Sequence, residues 1–311
     1  ALRDGNLVYH PPAGFSGTVT LTIVADDVGN TGSGGGQWWD TETLPITVQH
    51  RPPLLFGIES KPAVFVEGPG KVRVTSRLSA ASTSGRLAGA TVAVASNFSP
   101  AEDRLTWKAS SSISGNYDSS LGVLTLDGEA TVAQYRTALR SVRYSNVSQD
   151  PSPAARAVLF QVTDGAPDGW SNGVSRLIHV KPVNTPPVLT MPAVRPSGPS
   201  DTDLAIDGIR AADVDARGGV ERLTLRVTRG TIRLASLSGL TVVGGVNGSR
   251  LVVVEGTLDR LNAALAGDNL VYRPPTGFAG LDTLTVTLND LGLTGSGGAR
   301  TTTRAIRIQV G

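Results

Sequence analysis

Few residues of this 311-residue chain are of the types that do chemistry, and they are dispersed: the three histidines are His10, His50 and His179, and cysteine is absent. A Ser-His-Asp triad or a zinc cluster needs several such groups at one point. Each histidine instead lies beside a β-like run or a proline turn, where a solvated or packed imidazole is the simpler reading. Without cysteine there is no disulfide staple, thiolate nucleophile or cysteine-ligated metal. Asp26, Asp27, Asp164, Asp168 and Asp290 each close an apolar run in a Gly-rich loop. A glycosidase would need two of them paired across a cleft, whereas turn formation accounts for all five. The stretch from Gly29 to Gly36 (GNTGSGGG) has the glycines of a phosphate loop but neither its GK[ST] ending nor a following helix, so it reads as a hairpin tip. No catalytic residue is assigned, and a non-enzymatic chain is expected.

The tryptophans are harder to set aside. Trp38 and Trp39 are adjacent, and neighbouring strand residues point to opposite faces, so one ring at least should reach a surface. Together with Trp170 (in APDGWSNG) they are the candidate interface residues, for a neighbouring module, an identical subunit or a stacked sugar. Three N-x-[ST] sequons, at Asn97, Asn146 and Asn247, are about what chance gives in a chain this rich in serine and threonine, so no glycosylation is inferred.

The elements that carry these residues are strands. Period-two alternation recurs, as in Val19, Leu21, Ile23; Leu44, Ile46, Val48; Val158, Phe160, Val162; Leu284, Val286, Leu288; and Ile306, Ile308, Val310. The 37 glycines and 19 prolines fall between the runs, as turns. Two segments follow helical spacing instead: TVAQYRTALRSV, with Val132, Tyr135 and Leu139 on one face, and TLDRLNAALA, with Leu258, Leu261 and Leu265. A net charge of +2 with 17% charged residues offers no polycationic face for nucleic acid. No apolar run approaches the roughly 20 residues that span a bilayer, and ALRDGNLVYH has no signal-peptide pattern, so a signal or anchor would lie outside this segment.

An internal repeat organises the chain. Asn6 to Gly35 and Asn269 to Gly298 align without a gap, about 19 of 30 positions being identical. HRPP (His50 to Pro53) and PVNTPP (Pro182 to Pro187) each follow a final strand and precede a new apolar start; paired prolines make such junctions short and stiff. The expected organisation is residues 1–50 as the C-terminal half of a module, then complete modules over 51–184 and 185–311.

FVEG (Phe65 to Gly68), LAGATVAV (Leu87 to Val94), DRLTW (Asp103 to Trp107), SISGNYDSSLGVLTLDG (Ser112 to Gly128), YRTALRSVRYSN (Tyr135 to Asn146) and VTDG (Val162 to Gly165) resemble the cadherin-like or immunoglobulin-like tandem repeats of giant extracellular proteins. Such repeats occur in type-I-secreted adhesins, proteoglycan-repeat proteins and mastigoneme-like filaments. The resemblance implies an all-β fold of tandem antiparallel β-sandwich modules, each with at most one short helix, in an extended rod at a cell surface, acting mechanically or in adhesion. Its implied partners are neighbouring modules or identical subunits of a filament. The alternatives are a carbohydrate-binding module, using the tryptophans on a glycan, and a calcium-dependent adhesion module. Calcium in this class is held by acidic residues, and here the pattern is depleted: AASTSGRLAGATV has Ala80, Ala81, Ser82 and Thr83 where Asp-rich sequence is expected. Asp213 and Asp215 (AADVDARGG), joined by Asp290 or a residue near Asn184, are the calcium candidates; the competing reading is a solvated turn that caps backbone amides.

Overall fold

The computed structural model describes residues 7–29, 36–292 and 294–311. The Gly-rich tip read at 29–36 lies largely outside them. The chain divides into two compact units, one comprising Ala1–Phe65, Lys71–Ser145 and Ala154–His179, the other Val66–Gly70, Asn146–Pro153 and Val180–Gly311. The fold is all-β, with antiparallel sandwiches as the repeating architecture.

In the second unit the larger sheet has six strands, in the order Ser197–Gly198, Thr301–Val310, Gly280–Asn289, Val220–Val227, Leu251–Thr257 and Thr241–Gly245. Only the first of these pairs in parallel, with Thr301–Val310. A three-stranded sheet of Leu204–Ala205, Leu270–Arg273 and Thr231–Leu234 completes the sandwich. The alternating residues Leu223, Leu225, Val252, Val254, Leu284, Val286, Leu288 and Ile308 are fully buried, which is how a period-two sequence builds one wall of a core. The helix Leu258–Leu265 bridges the sheets, with Leu261 and Leu265 turned inward.

The same plan recurs in the first complete sandwich, where the sheet order is Ala63–Val66, Val174–Lys181, Arg156–Thr163, Arg86–Val94, Val123–Thr131 and Ser114–Asp118. Its helix, Val132–Ser141, begins with a reciprocal cap: the Thr131 hydroxyl accepts from Gln134 N–H while the Gln134 side chain accepts from Thr131 N–H. Both helices fall where the sequence periodicity places them.

Each sandwich also buries a carboxylate beside a tyrosine. Asp103 accepts from the Tyr144 hydroxyl and lies 3.3 Å from Arg156 Nε, with both charged side chains 1% exposed or less. Asp282 accepts from the Tyr272 hydroxyl at 2.8 Å and from the backbone N–H groups of Gly230, Arg229 and Thr283. Burial pushes the Asp282 carboxyl up, but these donors outweigh it and leave the group below the ordinary carboxylate range.

The N-terminal hairpin, Gly17–Asp26 paired with Trp39–Val48, copies Gly280–Asn289 paired with Thr301–Val310. In the C-terminal copy the inward face is fully buried at Leu284, Val286 and Ile308; the matching Leu21, Ile23 and Ile46 are only half-buried, and no residue of the hairpin is buried.

Candidate functional site

Buried oxygen atoms without donors concentrate at one end of the second unit's sandwich. Four segments bring them there: the proline-bounded stretch Val183–Thr185, the loop from Asp213 to Gly219, the first turn of the Val220–Val227 strand, and Asp290 just after Gly280–Asn289. Asn184 is fixed from one side, donating through Nδ2 to Asp290 Oδ2 and to the Gly298 carbonyl, both at 2.8 Å. The segment before Ala299 packs against it closely: Asn184 N–H donates to Ser296 O at 2.8 Å, and a Cβ on Gly295, whose φ is +71°, would stand 2.5 Å from Asn184 N. Glycine is therefore required at 295 for this approach.

The Asp213–Asp215 turn is held by its own backbone. Asp215 N–H donates to Asp213 Oδ1 at 3.1 Å, Thr185 N–H donates to Asp215 Oδ2 at 2.8 Å, and the Thr294 hydroxyl donates to the Asp215 carbonyl at 2.6 Å. Asp290 Oδ1 accepts from Gly292 and Arg300 N–H, each at 2.8 Å. One oxygen of Asp213 and one of Asp290 thus accept from an N–H two residues on, while Asp215 accepts from Thr185, thirty residues away in sequence. The second oxygens differ: Asn184 Oδ1, Asp213 Oδ2, Asp215 Oδ1 and both Glu221 carboxylate oxygens are buried with no hydrogen-bond partner. Glu221, Asp215 and Asn184 are 2–3% exposed.

Unpartnered buried carboxylates are expensive, and they respond by holding protons. Burial, reinforced by Asp213, Asp290 and Asp215, pushes Glu221 from 4.5 up to about 8; burial and the neighbouring Asp215 push Asp213 from 3.8 up to about 7. An acid whose folded pKa is raised releases its proton more readily when unfolded, so it destabilises the fold as pH climbs from the unfolded value through the folded one. In chelator, the second unit should melt highest near pH 4–5 and lose stability steadily to about pH 8, as followed by calorimetry across that range.

A cation is the other way to satisfy these oxygens. The donor set is all hard oxygen (carboxylates and one amide carbonyl), which suits Ca²⁺ with its six to eight oxygen ligands and does not suit zinc. The donor chemistry carried by Asp213, Asp215, Asp290, Glu221 and Asn184 is thus of the kind calcium takes. Among the described residues no three acidic or histidine side chains already converge at ligand spacing. The sequence candidates Asp213, Asp215 and Asp290 lie at the same end of the sandwich. Glu221 was missed, although its phase pointed to it: it alternates with the inward Leu223, Leu225 and Val227.

The first sandwich meets the same positions with different chemistry. Pairing of Val188 with Ala212 and of Leu54 with Ala81 aligns Asp213 and Asp215 with Ser82 and Ser84. Pairing before each helix aligns Glu221 (opposite Gly256) with Leu87 (opposite Ala130). His50 stands where Asn184 does in the proline motif, its Nε2 2.9 Å from Asp164 Oδ2 and its Nδ1 3.2 Å from Asp168 Oδ1. The hydrogen bond to Asp164 raises the His50 pKa. Imidazole and serine stand here in place of the carboxylates, and His50 Nδ1 is itself buried without a hydrogen-bond partner.

The tryptophans lie elsewhere. Trp38 and Trp39 are 74% and 68% exposed, bordering a shallow depression with Ala25, Asp26, Asp27 and Asp40. Trp170, 47% exposed, pairs with Thr163 through an isolated bridge. Both members of the Trp38-Trp39 pair reach solvent, not one alone. Among the described residues no helix is long and apolar enough to cross a membrane.

Against known proteins, no family model matches. Halomucin of Haloquadratum walsbyi is 35% identical over 147 residues, covering 45% of this chain and 2% of that protein. The chain therefore spans a very small part of the curated relative it matches. Solved structures that match include cadherin repeats: Drosophila N-cadherin EC1-4 (14% identity, 97% of this chain, 60% of that one, TM-score 0.25), human mucin-like protocadherin EC1-2 (10%, 82% and 97%, TM-score 0.33) and mouse protocadherin-24 EC1-3 (14%, 94% and 80%, TM-score 0.32).

Proposed function

We propose that this chain is a structural length of an extracellular stalk or filament, built of repeated β-sandwich modules with a mechanical and adhesive role, and that the second complete module is stiffened by calcium at Asp213, Asp215, Asp290, Glu221 and Asn184. The observation that carries the reading is the recurrence of two like sandwiches, each following a proline motif, one of them ending in buried oxygens without donors. When bound, the ion would supply positive charge to the four carboxylates. The protein's own part is to hold the ligands: Gly295 admits the loop to Asn184, and Thr185 N–H and Thr294 orient Asp215.

The module boundaries proposed are residues 1–50, 51–184 and 185–311, with the first segment as the closing hairpin of another module. Its half-buried apolar face matches the surface that Leu284, Val286 and Ile308 bury against their own sandwich, so its occupant is a module body of the type spanned by 185–279. Residues 51–311 produced alone should keep both unfolding transitions within a few degrees of the parent's; collapse of either would show that the boundaries are misplaced. Electron microscopy of the intact polypeptide tests the structural role itself: a beaded fibre with a rise of roughly 40–50 Å per module is expected from strand lengths and loops, and a compact globule would rule it out.

A carbohydrate-binding role rests on a separate observation, the exposure of Trp38, Trp39 and Trp170. Glycan binding abolished by Trp38→Ala with Trp39→Ala is the result that would favour it.

A further inference from the structure

His50 sits between two carboxylates at the start of the first complete sandwich. Its Nε2 is 2.9 Å from Asp164 Oδ2, and its Nδ1, buried and without a hydrogen bond, is 3.2 Å from Asp168 Oδ1. A neutral imidazole has one N–H, so either tautomer turns a ring lone pair toward a carboxylate oxygen. Only the imidazolium offers an N–H and a positive charge to both. The two arms are held with unequal firmness. Asp164 is 13% exposed; its N–H donates to the Gly169 carbonyl, its Oδ1 accepts from Ala166 N–H, and a Cβ on Gly169 would stand 2.1 Å from that oxygen. Asp168 is 78% exposed and turns into water at little cost.

The second proline motif supplies a comparison within the chain. Asn184 precedes Pro186 and Pro187 as His50 precedes Pro52 and Pro53, and it donates at 2.8 Å to Asp290, which follows Gly280–Asn289 as Asp164 follows Arg156–Thr163. The same bond from proline segment to strand end is thus made by an amide in one module and by an imidazole in the other. An amide keeps its protons across the whole range in which imidazole titrates. What the imidazole adds is a second arm and a proton that leaves.

The ring stands where the chain enters the sandwich, after Trp39–Val48 of the hairpin and before Leu54–Phe56. The hairpin's loop 11–15 reaches the same place: a Cβ on Gly14 would lie 2.7 Å from Ser84 Cβ, and Phe15, Val48, Arg51 and Thr83 line a cavity of about 410 Å³ with His50. Asp164 and Asp168 are the charged groups turned to the ring from the sandwich; the loop 11–15 and the turn 82–84 bring none, and Arg51, next in the chain, is exposed.

We infer that His50 is a proton-operated clasp at the junction between the hairpin and the first complete sandwich: the imidazolium ties the proline segment to both Asp164 and Asp168, and when the ring loses a proton it releases Asp168 and the junction loosens. The hydrogen bond with Asp164, aided by the charges of Asp164 and Asp168 against the ring's burial, raises the His50 pKa above the ordinary 6.5. Because the folded value is the higher one, the clasp contributes in full below about pH 6.5 and its contribution is lost as pH climbs through the folded value.

The test uses the full chain with His50→Asn, which copies the other junction, and with the surface change Asp168→Asn. In the parent, the His50 ring-proton NMR signal, identified by its loss in His50→Asn, should titrate with a midpoint above 6.5, and in Asp168→Asn that midpoint should fall toward 6.5. Since the chain lacks cysteine, Thr43→Cys with Asn116→Cys places one spin label on the hairpin and one on the sandwich, both at exposed positions. Their distance distribution should be narrow at about pH 5.5 and broad at about pH 8.5, and alike at the two in the His50→Asn background. A His50 midpoint at or below 6.5, or one unmoved by Asp168→Asn, would overturn the two-armed clasp. A parent distribution that ignores pH, or one that changes equally in the His50→Asn background, would overturn its control of the junction.

Discussion

Asp103→Ala is expected to cost the first complete sandwich about 3–5 kcal/mol, a large part of the roughly 5–15 kcal/mol by which a domain of this size is stable. The reason is Arg156. Its guanidinium is 1% exposed and lies 3.3 Å from Asp103 Oδ2, while the Asp103 carboxylate also accepts from the Tyr144 hydroxyl and from Ser99 N–H at 2.9 Å. Removing the carboxylate takes a charged partner from a buried cation and an acceptor from a buried hydroxyl, and neither can be rehydrated cheaply. Tyr144→Phe removes only one donor and should cost about 1 kcal/mol. Replacing both charges, as Asp103→Leu with Arg156→Met, should recover much of the loss, because two apolar side chains of similar size need no solvent. Urea unfolding of the three variants measures the order; an Asp103→Ala protein as stable as the parent would show that the pair is not coupled in solution.

That pair illustrates what the sequence discloses and what it hides. The strands, their inward faces and both helices are legible because alternation and helical spacing report burial directly: Val158, Phe160 and Val162 are all at 0% exposure. The buried charges obey the same phase, since Arg156 alternates with Val158 and Phe160, and Asp103 with Leu105. They escape notice because a charged residue at the start of a strand is ordinarily taken as its solvated end. Glu221 is hidden for the same reason, ahead of Leu223 and Leu225. Asp213, Asp215 and Asp290 are read from sequence as calcium candidates, but only the structure separates the oxygen of Asp213 and of Asp215 that accepts a backbone N–H from the oxygen that has no donor. The tryptophans mark the other limit: adjacency requires one exposed ring, and the poorly covered hairpin that carries them leaves both exposed.

Calcium should raise the melting temperature of the second unit and leave that of the first unchanged. A ligand that binds only the folded state stabilises it by RT ln(1 + [L]/Kd), about 2.7 kcal/mol at a hundredfold excess over Kd. For a module of this size that corresponds to a shift of about 10 °C. The first unit has no comparable term, because Ser82, Ser84 and Leu87 stand at the positions of the carboxylates and His50 Nε2 is hydrogen-bonded to Asp164. Calorimetry of the full chain in chelator should therefore show two transitions that move apart as calcium is added. Asp215→Asn halves the charge of the aspartate pair and should suppress the movement, while in chelator it should melt no lower than the parent, since the lost charge was repelled by Asp213 and Glu221. The calcium shift should also shrink as pH falls below about 7, where protons on Glu221 and Asp213 compete with the ion for the same oxygens. A shift of equal size in both transitions, or one that persists in Asp215→Asn, would place the ion somewhere other than this cluster.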